Sequence, residues 1–247
     1  MSGWRALAGE LAAWRDAGRV ATLWWRDDDA AAASPVLARL LELARQCGVP
    51  LALAAVPEAA QAEALAPARC VIMHGCDHRN RAAAGEKKTE FPATESDEAA
   101  LERLARARAR LAGLAGARFL PVLAPPWNRL REALVPRLPG AGIVGLSRYG
   151  ARAARAPGVP QVNTHVDIVA WRGGRGFVGE DAALAMLVRH LVARRSGSVD
   201  AGEPTGLLTH HALHDDAAWR FLARLFDETR SAGAAWADPW QLFTSRP

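Results

Sequence analysis

The sequence predicts an α/β fold, a β/α barrel of seven or eight strands, with a doubly wound open sheet as the alternative. Three observations carry this expectation. Short apolar runs alternate with longer amphipathic stretches nearly from end to end. The 247 residues, 50% of them hydrophobic, suffice for one sizeable core, read as a single catalytic domain over 1–247. The unusual polar residues gather directly after the apolar runs, where the strands of such a barrel deliver their chemistry.

The first run, 20–25, ends in Arg26-Asp27-Asp28-Asp29. Ser34-Pro35 then supplies an N-cap and a first-turn proline for a helix to about Cys47. Strands follow at 51–56 and 70–73, the latter running into His74-Gly75-Cys76-Asp77-His78. The polar run 85–91 reads either as a mobile loop over a site or as a solvated connection. Ser96-Asp97-Glu98 opens a helix to about Leu114, and a strand at 118–123 leads into Pro125-Pro126-Trp127-Asn128-Arg129. Strands at 142–146 and 161–166, the second leading to Asp167, precede a helix over 181–194. A seventh strand, 206–209, ends at His210-His211; a helix over 215–230 and an eighth strand at 234–237 complete the series. Most of the seven histidines fall at strand ends.

Composition excludes several classes. The net charge of +5 comes almost wholly from arginines spread along helices, Lys87 and Lys88 being the only lysines. No basic cluster interleaved with aromatics points to nucleic acid. Cys47, Cys70 and Cys76 are odd in number and lack zinc-ribbon spacing, which suits a reducing interior. No apolar run has signal-peptide or membrane-spanning form, so the expected location is cytoplasmic, with no membrane partner.

Three adjacent carboxylates at the end of a buried strand repel one another and are costly to desolvate, so they call for a cation or for exposure as a solvated, helix-capping turn. His74 and His78, four residues apart, can grip one ion from a single turn, and a carboxylate from elsewhere would complete the set. Two nitrogens and one oxygen suit one divalent ion, zinc first, though iron or manganese could use the same ligands. Of two neighbouring carboxylates, one can bind the metal while the other takes a proton from water. His210 fits a general acid, whereas His211 and His214 read as polar residues at a helix start. His165 and Asp167 suggest a supporting pair that orients an imidazole or an arginine. Trp171 could stack on a sugar ring or fill the barrel rim.

Five segments in order, Arg26-Asp27-Asp28-Asp29, His74-x3-His78, Pro125-Pro126-Trp127, Asp167-x3-Trp171 and Leu207-Leu208-Thr209-His210, resemble the polysaccharide deacetylase family, the NodB-homology or carbohydrate esterase family 4 group. Together they span most of the chain. The resemblance implies a distorted β/α barrel, a single divalent metal, a first-segment aspartate as base, the next as metal ligand beside His74 and His78, and His210 as acid. It also implies that Trp127 donates a backbone N–H to the oxyanion and walls the pocket. The pattern Arg-x-Asp-Asp makes Asp28 the base and Asp29 the ligand, with Asp27 spare; direct overlay would choose Asp27 and Asp28. Two positions depart from the pattern. The usual arginine before the double proline is Ala124, with Arg26 or Arg129 as substitutes and surface placement as the equal alternative for Arg129, and Gly75 replaces the usual hydroxyl residue.

The expected function is hydrolytic removal of an acetyl or other acyl group from an amide nitrogen on a sugar-like or other small polar molecule. Hydrolysis of a ureide or cyclic amide is the neighbouring alternative, and a catalytically silent carbohydrate-binding relative, motivated by Ala124, is the other.

Overall fold

The computed structural model describes residues 2–152, 159–172 and 174–244. Helix α1 (Gly3–Asp16) leads into β1 (Thr22–Ala30), α2 (Pro35–Cys47), β2 (Leu51–Ala55), α3 (Ala62–Leu65) and β3 (Cys70–His74). There follow α4 (Asp97–Ala115), β4 (Phe119–Ala124), β5 (Gly145–Leu146), β6 (Val166–Asp167), α5 (Glu180–Ser196), β7 (Thr205–Thr209), α6 (Asp216–Ser231), β8 (Ala235–Trp236) and α7 (Pro239–Thr244). Side chains cap three helices at their starts: Ser34 accepts from the Leu37 N–H at 3.1 Å, Ser96 from Ala99 at 3.2 Å and Asp215 from Ala218 at 2.8 Å.

The strands pair in parallel in the order β5-β4-β3-β2-β1-β7-β6, with β8 also against the start of β1. Single parallel bridges, Leu146 to Gln161 and Tyr149 to Thr164, continue the curl between the two ends of that order. The result is a distorted β/α barrel. Alternate side chains divide its core in two. Trp24, Ala52, Ala54, Cys70, Ile72, Leu120, Val122 and Ala124 fill the interior. Leu23, Trp25, Leu53, Val71, Met73 and Leu123 face outward onto helical residues such as Leu40, Leu104 and Leu222.

The structure differs from the expected elements in several places, the short helices α3 and α7 being unexpected as well. β1 does not stop at Trp25 but runs through the aspartates to Ala30, because its ladders with β2 and β7 continue past the apolar residues. The fifth and sixth strands shrink to two residues each, since their flanking segments make only isolated bridges. Helix α1 and a 3-10 stretch over Glu132–Ala141, which holds Pro136 and Pro139, join the expected set.

Candidate metal centre

In a regular strand two successive side chains point to opposite faces, so only one of two adjacent carboxylates could face a site inside the barrel. β1 escapes this limit through an irregularity. Its register with β2 shifts between Asp27 and Ala30, and Asp29 adopts a left-handed φ of 71°. Asp28 keeps the interior face of Trp24 and Arg26, while the bulge swings Asp29 around beside it. Asp28 is 1% exposed, whereas the Asp29 side chain is 40% exposed.

Asp29 Oδ1 lies 3.1 Å from His74 Nε2 and 3.3 Å from His78 Nε2. His74 Nδ1 donates to the Ala124 carbonyl at 3.0 Å, which fixes the ring with Nε2 directed at Asp29. The two separations match the edge of a tetrahedron about zinc, roughly 3.3 Å for bonds of about 2.0–2.1 Å, and the three donor atoms lie within 4.8 Å of one another. Burial raises the Asp29 carboxyl, but the hydrogen bond from His74 and the charges of His74, His210 and His78 outweigh it and hold the group well below the usual carboxylate range. For His74, burial acts downward and is overcome by Asp28 and Asp29, so its pKa rises; the field that favours a proton there also favours a cation. The donor set therefore fits a divalent ion.

Arg26, fully buried, organises the base candidate. Its Nη2 donates to Asp28 Oδ2 at 3.0 Å and to Asn128 Oδ1 at 2.7 Å, and its Nη1 to the Ser147 carbonyl and hydroxyl at 2.9 and 2.7 Å. Nε sits 2.9 Å from Asp28 Oδ1, an ion-pair distance without hydrogen-bond geometry. Arg129 does not reach this pair. It is exposed and donates to the Lys88 carbonyl at 2.8 Å. His210 Nε2 lies 4.0 Å from Asp28 Oδ2.

Two indoles flank the histidines. Trp127 and Asn128, both left-handed with φ of 55° and 56°, turn the chain over the site and set the Trp127 ring 4.7 Å from that of His78. Trp171 stands edge-on to His210 with centroids 4.7 Å apart, and its Nε1 donates to Asp167 Oδ2 at 2.7 Å. Trp171 is 46% exposed. Burial raises the Asp167 carboxyl, against the charge of His210 and the Trp171 hydrogen bond.

His165 does not pair with Asp167. Its ring stacks on His190 with centroids 3.5 Å apart, and its Nδ1 accepts the Gly206 N–H at 2.9 Å. That bond leaves the neutral ring's proton on Nε2, 3.4 Å from the buried Glu203. His165, His190 and Glu203 form the second cluster of potential metal donors among the described residues. The protonated nitrogen and the parallel rings make it a poor cage for an ion, and it reads as a buried acid–imidazole pair.

Asp27, fully buried, faces away from the metal donors. Its Oδ2 accepts from the Thr209 hydroxyl at 2.6 Å and the His211 N–H at 3.0 Å, while Oδ1 lies 2.5 Å from His211 Nδ1. His211 is thus a buried partner of the first aspartate and not a solvated helix-start residue. Burial lowers its pKa, but the hydrogen bond and charge of Asp27 outweigh that and raise it. Sequence reading missed Asn128, Ser147 and Thr209 as partners, although each directly follows or closes an apolar run.

No family model and no curated protein matches the sequence at a significant level. Solved structures do match, over nearly the whole chain. A candidate polysaccharide deacetylase from Mycobacterium smegmatis superposes with a TM-score of 0.64 at 15% identity, covering 93% of this chain and 95% of that one. A family 4 carbohydrate esterase from Streptomyces lividans, in complex with acetate, gives 0.54 at 15% identity over 92% and 97%. A family 4 acetyl xylan esterase from Clostridium thermocellum, in complex with a cobalt ion, gives 0.53 at 14% identity over 90% of each chain. This is the polysaccharide deacetylase fold.

Within the polysaccharide deacetylase fold, the two sequence departures acquire structural partners. At Ala124, where the resembled pattern has an arginine, the backbone carbonyl orients His74 and the guanidinium beside Asp28 comes from Arg26 on β1 itself. At Gly75 the backbone is left-handed, with φ of 64°, and a Cβ would fall 2.0 Å from Glu90 Oε2 and 2.5 Å from Pro126 Cδ. Of the run 85–91, residues 85–88 are exposed, as in a solvated connection, while Glu90, beneath the histidine turn, and Phe91 are buried.

Proposed function

We propose that the chain is a metal-dependent hydrolase that removes an acetyl or other acyl group from an amide nitrogen of a sugar-like or other small polar substrate. The observation that carries the reading is the convergence of His74 Nε2, His78 Nε2 and Asp29 Oδ1 beside the Arg26-bound Asp28, with His210 Nε2 4.0 Å from that carboxylate. Asp29, His74 and His78 would hold the ion, zinc in the first instance. When bound, such an ion polarises the acyl carbonyl and lowers the pKa of water.

Asp28 is the base in this reading. Its carboxylate, oriented by Arg26, takes the proton from the attacking water as the new C–O bond forms. The backbone N–H of Trp127 donates to the acyl oxygen as negative charge develops there. His210 Nε2 returns a proton to the nitrogen as the C–N bond breaks, releasing acetate and an amine. The Trp127 and Trp171 indoles wall the site, and flat apolar faces of this kind suit a sugar ring. Asp167 supports the Trp171 side.

The acetate and the cobalt ion belong to the neighbours described with them, and their transfer to this chain is part of the proposal. The motive for a silent carbohydrate-binding relative was Ala124, and the Arg26–Asp28 pair weakens it. A cytoplasmic location is part of the same reading, supported by the free thiols of Cys47, Cys70 and Cys76. Among the described residues, no helix is long and apolar enough to cross a membrane.

The test is metal analysis of the purified protein together with acetate release over a panel of N-acetylated sugars and metabolites, with cyclic amides run alongside. One ion per chain and turnover that falls about 10²- to 10⁴-fold in Asp28→Asn and His210→Ala are expected. Turnover of cyclic amides alone would shift the reading to that class. A protein that takes up no metal from micromolar zinc would end it.

A further inference from the structure

The turn that carries His74 and His78 is wrapped around a carboxylate from a different segment. Glu90 is fully buried. Its Oε1 accepts the N–H groups of Cys76 and Asp77 at 2.9 and 3.0 Å, and Oε2 accepts that of Cys76 at 3.1 Å. Arg103, from α4, closes the outer side: Nη1 donates to Glu90 Oε1 at 2.9 Å and Nη2 to the Glu90 carbonyl at 3.0 Å. Glu95 in turn holds the Arg103 guanidinium, with contacts of 3.1 and 2.8 Å.

A carboxylate is expensive to bury, and this one lies close to a second acid, Asp77. The arrangement persists because two backbone donors and a guanidinium converge on it, a concave pair of N–H groups being a ready anion cradle. The turn it stabilises is itself unfavourable. Gly75 and His78 both have left-handed backbones, at φ of 64° and 57°, and only Gly75 does so without a steric cost. That left-handed step at His78 is what brings its ring to within 3.3 Å of Asp29.

We propose that Glu90 is a positioning residue of the metal centre, its carboxylate fixed by Arg103 and holding the 74–78 turn so that both imidazoles meet Asp29. Glu90 then stabilises the turn from the space beside Gly75, where the resembled pattern carries a hydroxyl residue. Glycine at position 75 follows from it, because any Cβ would displace Glu90 or Pro126. The inference rests on the metal reading of the site.

Zinc affinity of the wild-type protein and of Glu90→Gln, measured by chelator competition, tests it alongside the Tm of each protein with and without zinc. An amide with its oxygen in the Oε1 place loses the negative charge that faces Arg103 and the two backbone donors, and turns its own N–H group against the Cys76 N–H at the Oε2 place. The expected result is zinc binding weakened about 10- to 100-fold, the range for residues that orient ligands, and a smaller zinc-induced rise in Tm. A merely structural role would lower the zinc-free Tm and leave the zinc affinity unchanged, and that result would overturn the proposal. Should Glu90→Gln fail to fold, Arg103→Lys loosens the clamp from outside the turn and is expected to weaken zinc binding in the same direction; unchanged affinity there would also overturn it. Wild-type protein that binds no zinc would instead refute the metal reading, and this inference with it.

Discussion

Arg26 commits its guanidinium to the site: Asp28, Asn128 and Ser147 take its donors, and no part of it is exposed. Replacing it by methionine would leave the Asp28 carboxylate buried without its guanidinium partner. Arg26→Met is therefore expected to cost about 3–5 kcal/mol in urea unfolding, as breaking a buried pair does. Arg26→Lys keeps the charge but not the fork, and should fall between the two. A loss below about 1 kcal/mol for Arg26→Met would show that other groups hold Asp28. The residue types of this site were legible in the sequence, since adjacent carboxylates at the end of a buried strand are costly to desolvate without a cation. Their pairings were not. Arg26 meets Ser147 across 121 positions, and Asp27 meets His211 across 184. No local pattern encodes a contact of that separation.

At the scale of elements, the bulge in β1 decides the chemistry. It places two neighbouring carboxylates on one side of a strand that would otherwise divide them. The apolar run marked where β1 begins but not where it ends, because hydrogen-bonded ladders continue through Arg26 and Asp27 whatever their polarity. Helices were read more closely, their caps and periods being local. The partner strand β7 depends on close approach at Gly206, where a Cβ would meet Trp24 Nε1 at 2.4 Å, the Asn163 carbonyl at 2.5 Å and Thr164 Cα at 2.6 Å. Two of these are backbone atoms, which cannot rotate away. Gly206→Ala is expected to destabilise by about 1–3 kcal/mol through overpacking. A shift in denaturant midpoint checks it, and an unchanged midpoint would mean that the 163–164 segment can withdraw.

For the molecule as a whole, the buried histidines away from the metal centre set a pH dependence. Burial, with the charge of Arg194 adding to it, pushes the His190 imidazole down to about 3. An unfolded imidazole titrates near 6.5. Between those values the unfolded chain binds a proton that the folded chain refuses, so stability falls as the pH falls from about 6.5 toward 3. His190→Gln should flatten this acid slope, measured as denaturation midpoints from pH 7 to pH 4. Equal slopes in the two proteins would place the acid sensitivity elsewhere, with His214, pushed down to about 4 mainly by burial, as the next residue to replace.

The sequence by itself determined the alternation of strands and helices, the barrel class, and the set of acids and histidines that strand ends could bring together. Those follow from periodicity and from the cost of burying charge, both of which act locally. Only the tertiary structure decided which carboxylate each imidazole meets, that Arg26 rather than Arg129 pairs with Asp28, that His165 turns away to Glu203, and that Glu90 lies beneath the histidine turn. Each of these depends on a strand register, a bulge or a left-handed residue, and such features change a side chain's direction without changing the pattern of residues that carries it.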